Sequence, residues 1–170
     1  MKVWCKKWRC FAVVFWVYFF VGTPVTAETA VYRTLRGKVA QVIDGDTVRL
    51  TDGMLVRYLG MDTPEMRRKI GHQWAEHPQA YAEEASRMNR LLVEGKTVRL
   101  KTLKSLQYDK YGRLLAYVFV GPTFVNQQIV ARGLARLYTR HADTPYDRML
   151  ARAQRHAHIR RLGIWSKSMP

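Results

Sequence analysis

Apolar and polar residues alternate through the first half of the chain, in short runs separated by turn signals. Residues 39–43 follow a period of two, and residues 47–50 and 54–59 repeat it on either side of an Asp-Gly pair at 52–53. Alternation predicts half-buried β-strands, and Asp-Gly between two such runs is a strong hairpin signal. Residues 36–60 are therefore predicted to form an antiparallel meander of three strands.

A helix is predicted downstream of this meander. Its apolar residues recur at helical spacing on one face, and Gly95 is placed to end it. These apolar positions are Tyr81, Ala85, Met88 and Leu92. The preceding stretch, residues 62–77, is polar, charged and rich in breakers, so it predicts a long surface loop without regular structure.

The second half of the chain predicts two more strands and two more helices. The strands are expected at 97–103 and 113–120, and a short helix at 123–132. A capping box with proline at the first helical position opens the last helix, from 144 to about 162. Five strands, with one helix after the third and two after the fifth, predict an α+β fold on an OB-like, five-stranded β-barrel with three helices.

The first 27 residues have the pattern of a secretory signal peptide. A basic start precedes an unbroken apolar run at 11–21, and a small-residue cleavage site follows at 25–27. A membrane anchor is the alternative, but the run is shorter than the roughly 20 residues that cross a bilayer. We expect residues 1–27 to be removed on export, into a periplasm or outside the cell, and 28–170 to form one domain. Membrane contact is expected only if the segment stays uncleaved.

The charge of the chain indicates a polyanionic partner. Lys and Arg number 29 against 13 Asp and Glu, a formal net charge of +16, which suits nucleic acid or an anionic membrane face. Both cysteines, Cys5 and Cys10, lie in the segment predicted to be removed, which excludes disulfides and thiolate metal sites from the mature chain. Nothing in the sequence indicates a protein partner or an oligomer, so we expect a monomer.

Carboxylates and arginines gather at the ends of the predicted strands. Four acids lie at two strand ends that a meander brings together, namely Asp44, Asp46, Asp62 and Glu65. Each acidic tetrapeptide alone is typical of a turn, and each arginine alone of a solvated strand residue. Clustered acids repel one another unless a hard cation such as Ca²⁺ binds them, and arginine binds phosphate in bidentate fashion. With Arg57 and Arg113 in the same elements, the pattern favours metal-assisted phosphodiester hydrolysis.

Five blocks of sequence, in order and with compatible gaps, resemble the staphylococcal nuclease (thermonuclease) family. The blocks are VIDGDTV (42–48), Arg57 with DTPE (62–65), DKYGRLLAY (109–117), GLA (133–135) and GIWS (163–166). The resemblance implies an OB-fold barrel and Ca²⁺-dependent endo- or exonuclease activity on DNA and RNA. It also implies cleavage on the 5′ side of the phosphate, which leaves 3′-phosphate products.

The resemblance implies roles for individual acidic positions. Asp46 and Asp62 match the carboxylate ligands of the calcium ion, and Thr63 matches the residue whose backbone carbonyl also binds it. Glu65 matches the general base that orients or deprotonates the attacking water. Asp44 matches an acid close to the ion but outside its direct coordination.

Basic and aromatic positions carry over in the same way. Arg57 and Arg113 match the two phosphate-binding arginines, and Arg113 also suits stabilisation of the leaving group. Tyr111 matches a tyrosine placed against the nucleotide, and Lys110 beside it is a further substrate-binding candidate. Tyr138 is a candidate for a second such tyrosine, although it stands one place away from the family's position.

The histidines and the basic residues of the last helix give weaker indications of function. His156 and His158 point in different directions on a predicted helix, and the histidines at 72 and 77 lack a third ligand, so no histidine metal site is predicted. The last helix has a basic face, which is typical of a solvated surface but also suits guidance of nucleic acid. Its members are Arg148, Arg152, Arg155, Arg160 and Arg161.

Two alternative functions were weighed against a nuclease. A noncatalytic OB-fold module would bind nucleic acid through charge and stacking, but it predicts loss of at least one acidic or arginine position of the blocks, and none is lost. A cationic envelope protein that binds anionic lipid would explain the charge but not the ordered blocks. For a nuclease, a shallow exposed site on an OB barrel favours single strands over duplexes.

Overall fold

Ten short strands run through the part of the chain that the computed structural model describes, residues 32–70, 73–105, 107–138 and 144–166. In chain order they are β1 (Tyr32–Val42), β2 (Thr47–Leu50), β3 (Leu55–Tyr58), β4 (Met61–Asp62), β5 (Arg67–Ile70), β6 (Gln73–Glu76), β7 (Thr97–Leu103), β8 (Leu114–Val120), β9 (Thr123–Phe124) and β10 (Arg136–Leu137). Strands β1, β2 and β3 form the predicted antiparallel meander.

Five of these strands close into a barrel. Strand β1 pairs with β2 and with β7, β2 pairs with β3, and β7 pairs with β8, all antiparallel. Parallel pairing of β3 with β8 completes the ring, so these strands have few unpaired backbone groups along their edges. The closed barrel confirms the predicted α+β fold on a five-stranded OB-fold barrel.

Three α-helices accompany the barrel in the described ranges. They are α1 (Ala82–Val93), α2 (Val125–Ala131) and α3 (Pro145–Ile159). The hydroxyl of Thr144 accepts the N–H of Asp147 at 3.2 Å, and the Asp147 carboxylate accepts the N–H of Thr144 at 3.0 Å, which confirms the predicted capping box. Helix α3 ends at Ile159 and not near residue 162, because the backbone turns left-handed at Arg161 with φ of 52°.

A β-hairpin occupies much of the segment predicted to be a loop without regular structure, so that prediction was wrong. Strands β5 and β6 pair antiparallel, with Ile70 opposite Gln73 at the closed end. The two residues between them in sequence, Gly71 and His72, lie outside the described ranges. A two-residue connection that begins with glycine is itself a hairpin signal. The density of charged residues around it concealed this signal.

Two buried tyrosines tie the helices to the barrel. The Tyr58 hydroxyl of β3 donates to Oδ1 of Asn89 on α1 at 2.7 Å, and the Tyr117 hydroxyl of β8 donates to Asp147 at the start of α3 at 2.9 Å. A buried hydroxyl without a partner costs about 1–3 kcal/mol, so these bonds permit burial of both rings. They also fix α1 and α3 against opposite strands of the β3–β8 pair.

Two glycines allow residues after α3 to pack directly on the backbone that follows α2. A Cβ atom on Gly133 would lie 2.0 Å from the carbonyl oxygen of Leu162, and a Cβ atom on Gly163 would lie 2.1 Å from the carbonyl oxygen of Gly133. Both glycines have positive φ, at 69° and 54°. The N–H of Ile164 donates to the Gly133 carbonyl across this contact at 2.8 Å. Only glycine fits either position.

The predicted signal segment, residues 1–27, lies outside the described residues. In the ranges that the structure does describe, no helix combines the length and the apolar character needed to cross a membrane.

Candidate active site

The loop between β1 and β2 places an acid inside the protein. The carboxylate of Asp44 accepts the N–H of Asp46 at 3.0 Å, which folds the loop into a tight bend. Gly45 lies between two other elements, because a Cβ atom there would lie 2.8 Å from the side chains of both Thr63 and Ala85. The absence of a side chain at Gly45 therefore brings this loop against the segment after β4 and against α1.

Asp46 is completely buried and accepts several hydrogen bonds. Its carboxylate accepts the backbone N–H of Thr63 at 2.9 Å and the hydroxyl of Thr47 at 3.2 Å, and it forms an ion pair with Arg57. Burial raises the pKa of Asp46 well above its ordinary value, and the neighbouring Asp44 raises it further, while the Arg57 guanidinium opposes both effects. Asp46 is thus a buried acid that needs a positive charge beside it.

Arg57 supplies that charge and joins two acids. It lies on β3 opposite Thr47 of β2, so cross-strand pairing directs its side chain toward the loop that carries Asp46. Its Nη1 donates to Asp46 and its Nη2 to Asp62, with the Asp46 side chain fully buried and the Asp62 side chain 47% exposed. Burial disfavours the charged guanidinium, but attraction to Asp46 and Asp62 prevails and raises the pKa of Arg57. The guanidinium therefore bridges the protein interior and the surface.

Glu65 stands at the surface, close to these charges. Its N–H donates to Oε1 of Gln79 at 3.0 Å, and the N–H of Gln79 donates to the Glu65 carbonyl at 3.0 Å. Partial loss of hydration raises the pKa of Glu65, and the nearby Asp44 raises it too, while Arg57 and Arg113 act in the opposite direction. Two reciprocal hydrogen bonds thus hold the backbone that carries the candidate general base.

The turn before β8 holds the remaining candidates together. The Asp109 carboxylate accepts the N–H of Tyr111 at 2.8 Å and the Nε–H of Arg113 at 2.7 Å. Burial disfavours the Asp109 anion, but hydrogen bonds from Arg113 and Tyr111 prevail and lower the pKa of Asp109. The Tyr111 ring is 70% exposed, with Lys110 Nζ 5.0 Å and the Arg113 guanidinium 5.4 Å from its centre. An exposed aromatic ring beside two cations results.

Parallel pairing brings this turn to the same end of the barrel as Arg57. Leu114 and Leu115 of β8 lie opposite Val56 and Arg57 of β3, so Arg113, directly before β8, lies beside the start of β3 and two residues from the position opposite Arg57. The guanidinium groups of Arg57 and Arg113 both act to lower the pKa of Glu65, which agrees with this placement. The structure therefore gathers Asp46, Arg57, Asp62, Thr63, Glu65 and Arg113 in one region.

Tyr138 lies at the edge of that region. It directly follows β10, which pairs with β4 so that Arg136 stands opposite Asp62. Its N–H donates to the carbonyl of Gly60 at 3.0 Å, and its side chain is 45% exposed.

Three polar residues that support the site were not found from the sequence. Asn89 is fully buried on α1 and donates to the carbonyl of Asp44 at 3.0 Å, which anchors the bend in front of Asp46. Gln79 holds Glu65, and Asp109 holds Arg113. An asparagine among the inward positions of an amphipathic helix is a signal for such an anchor, whereas Gln79 gives no sequence signal.

The oxygen atoms around Arg57 include donors that suit a divalent ion. Asp46 and Asp62 offer carboxylate oxygens and Thr63 a backbone carbonyl, which are the hard oxygen donors that Ca²⁺ prefers. Within the described ranges, no group of three or more His, Cys, Asp or Glu side chains lies close enough together to hold a metal ion. Asp46 and Asp62 nevertheless share only one positive charge, that of Arg57, so the pair can still bind a cation. Carbonyl and water oxygens would complete the coordination of that cation.

Comparison with known proteins places the chain in a family. The family model described as "Staphylococcal nuclease homologue" matches residues 55–167, which include Arg57, Asp62, Glu65 and Arg113. The chain belongs to the staphylococcal nuclease family.

Several curated proteins named as nucleases resemble the chain. "SPbeta prophage-derived endonuclease YokF" of Bacillus subtilis is 37% identical over 132 residues, 75% of this chain and 43% of the relative. "Endonuclease YncB" of the same organism is 38% identical over 75% of this chain and 60% of its own length. "Thermonuclease" of Staphylococcus hyicus is 35% identical over 76% of this chain and 75% of its own. The chain thus spans about half the length of the two Bacillus relatives.

Proposed function

We propose that the protein is an exported, calcium-dependent nuclease that hydrolyses phosphodiester bonds of DNA and RNA and leaves 3′-phosphate ends. The observation that carries the proposal is the position of Arg57 between Asp46 and Asp62, at the end of the barrel where Glu65 and Arg113 also lie. The names of the relatives, endonuclease and thermonuclease, support the same reaction. The apolar run at 11–21 supports export.

Asp46 and Asp62, with the carbonyl of Thr63, would hold the calcium ion. When bound, the ion supplies positive charge that stabilises the phosphate oxygens during attack by water. Arg57 is already oriented as a fork toward paired oxygens, because its two terminal nitrogens contact two different carboxylates. That fork also matches the oxygen pair of a phosphate, which Arg57 would bind in bidentate fashion in place of the two carboxylates.

Glu65 accepts a proton from the attacking water, whose oxygen forms a bond to phosphorus. The bond between phosphorus and O5′ breaks, and its electron pair stays on O5′, which then takes up a proton. The Arg113 guanidinium stabilises the charge on that leaving oxygen. Asp109 engages Nε of Arg113 at 2.7 Å, which orients the terminal nitrogens for this task.

We propose that the exposed Tyr111 ring favours single strands as substrates. A flat aromatic ring flanked by Lys110 and Arg113 offers a stacking surface for a base and cations for the adjoining phosphates. A base inside a duplex is already stacked and paired, so it gains less from this surface. Tyr138, at the other side of Asp62, is proposed as a second contact for the substrate.

Digestion of single-stranded DNA and plasmid by the full chain tests the proposal. Cleavage is expected with Ca²⁺ and not with a chelator. The products should carry 3′-phosphates, so a polymerase should extend them only after treatment with a phosphatase. Glu65→Gln is expected to lower the rate by about 10² to 10⁴, which is typical for loss of a general base. Glu83→Gln, at an exposed position of α1, is the matched control and should retain full activity.

Cleavage in chelator, or full activity of Glu65→Gln, would contradict the mechanism. A wild-type protein that binds oligonucleotides without cutting them would favour the noncatalytic OB-fold module. Export is tested separately, by fractionating cells that express the full chain and sequencing the N-terminus of the product. Retention of an intact N-terminus in the cytoplasm would contradict it.

A further inference from the structure

Helix α3 turns one flank toward the strand that neighbours Asp62. Oε1 of Gln154 on α3 accepts the N–H of Leu137 on β10 at 2.6 Å, and β10 pairs with β4 so that Arg136 lies opposite Asp62. A second contact fixes the same flank, because the His158 ring of α3 lies 5.2 Å from the Trp165 ring. The Arg136 guanidinium also lies over the Trp165 ring, 5.4 Å from its centre.

Arginines extend from this flank toward solvent. A helix rotates about 100° per residue, which places Arg148, Arg152 and Arg155 about 100–160° from Gln154. They lie on the side of Gln154 away from the inward face, which Leu150, Ala153 and Ala157 form. All three arginines are exposed. The flank of α3 that adjoins β10 therefore continues into a row of exposed arginines.

Among the described residues, no carboxylate pairs with Arg152 or Arg155 of this row. The one acid of α3, Asp147, is buried and bonded to Thr144 and Tyr117. Arg136, on β10, is exposed and begins the row beside Asp62, since opposed residues of paired strands project to the same face.

We propose that Arg136, Arg155 and Arg152, which we call the arginine track, bind the phosphates of a substrate strand where it continues beyond the cleaved bond. Arg152 and Arg155 are three residues apart, a rise of about 4.5 Å along the helix axis, which is close to the spacing of about 3.4 Å between neighbouring phosphates of one strand. This inference rests on the proposed nuclease function and extends it from the cleaved phosphate to the polymer. The track adds affinity for long strands and no sequence selectivity.

An anionic lipid surface would attract the same charges. The position of the track favours a nucleic-acid strand, because the track starts at Arg136, opposite a residue of the candidate active site, and runs away from it in one direction. A substrate bound at Arg57 and Asp62 would reach the track by continuing past β10.

The test measures binding without cleavage. The full chain carrying Glu65→Gln is titrated in chelator with fluorescent single strands of about 4 and about 20 nucleotides, which bracket the usual site size of an OB fold. Arg152→Gln/Arg155→Gln removes two charges from the track. Arg36→Gln/Arg49→Gln removes two exposed arginines from β1 and β2 and is the matched control.

Loss of two phosphate contacts should make the slope of log affinity against log salt less steep by about 1.4, since each contact to a single strand contributes about 0.7. When salt rises from about 50 to about 200 mM, both proteins should bind the long strand more weakly. The fold-loss of affinity should be about sevenfold smaller for the track variant than for its parent. Binding of the short strand should be unchanged, and Arg152→Lys/Arg155→Lys should restore the slope because it restores the charge.

Equal slope changes in the track variant and the control variant would overturn the proposal, since they would reflect net charge alone. Unchanged oligonucleotide binding with weakened binding to phosphatidylglycerol vesicles would overturn it in favour of a lipid surface. The readout is independent of cleavage. If the slope changes as expected but the wild-type protein cuts nothing, the track proposal stands and the nuclease proposal is refuted. If the wild-type protein cleaves in calcium but the slope does not change, the nuclease proposal stands and the track proposal is refuted.

Discussion

Replacement of Arg57 by methionine is expected to destabilise the calcium-free protein strongly. Methionine keeps an unbranched side chain but carries no charge, so the fully buried Asp46 retains only the N–H of Thr63 and the hydroxyl of Thr47 as partners. Removal of one partner from a buried ion pair typically costs about 3–5 kcal/mol. Because whole domains have unfolding free energies of about 5–15 kcal/mol, the variant should lose a large part of its stability.

Urea unfolding followed by circular dichroism, in chelator, measures this loss. Adding Asp46→Asn to Arg57→Met removes the stranded charge and should recover part of the lost free energy. Arg90→Met is the control, because its pair with Glu94 is exposed on both sides and should contribute less than about 1 kcal/mol. If calcium binds at Asp46 and Asp62 as proposed, a calcium concentration 100 times the Kd should raise the unfolding free energy of the wild-type protein by about 2.7 kcal/mol.

Two results would refute this account of the buried pair. One is a loss for Arg57→Met no larger than that for Arg90→Met, which would mean that Asp46 does not depend on a neighbouring positive charge. The other is a double variant that is less stable than Arg57→Met alone, which would mean that the stranded charge is not the source of the loss.

Three further predictions concern the scaffold around the site. Thr144→Ala removes the hydroxyl that caps α3 and should lower the unfolding free energy by about 0.5–2 kcal/mol in chemical denaturation. Gly45→Ala introduces a methyl group 2.8 Å from the side chain of Thr63, so thermal unfolding should show a loss of about 1–3 kcal/mol. Gln79→Met removes the acceptor that holds the backbone of Glu65 and should lower kcat more than it changes KM, while Gln79→Glu, which keeps an acceptor oxygen, should restore kcat.

Local signals in the sequence predicted much of the fold. The capping box at Thr144 and the strand at 97–103 depend on neighbouring residues, so their positions were predicted correctly. The hairpin of β5 and β6 was missed because its only clear signal, a two-residue connection beginning with glycine, stands among charged residues typical of loops. Pairing energy between two short strands can outweigh such composition.

Long-range contacts set the limit of prediction at the site. The sequence shows acids and arginines at strand ends, but not that Arg57 joins Asp46 to Asp62. Nor does it show that Asn89, 45 positions from Asp44, anchors the bend in front of Asp46. Such contacts depend on strand register and on the placement of α1 against the barrel. Neither property follows from the residues that neighbour each acid along the chain.

The contact between Gly133 and Gly163 affects when the fold can be completed. A ribosome makes the chain from its N-terminus, so the residues around Gly163 are added after all ten strands and all three helices of the described ranges. Until they are added, the backbone after α2 lacks the partner that Ile164 provides. A nascent chain therefore cannot reach its final packing before these residues have been added, although its earlier parts can begin to fold. For the export proposed above, that delay would leave the polypeptide incompletely packed until the residues around Gly163 have been added.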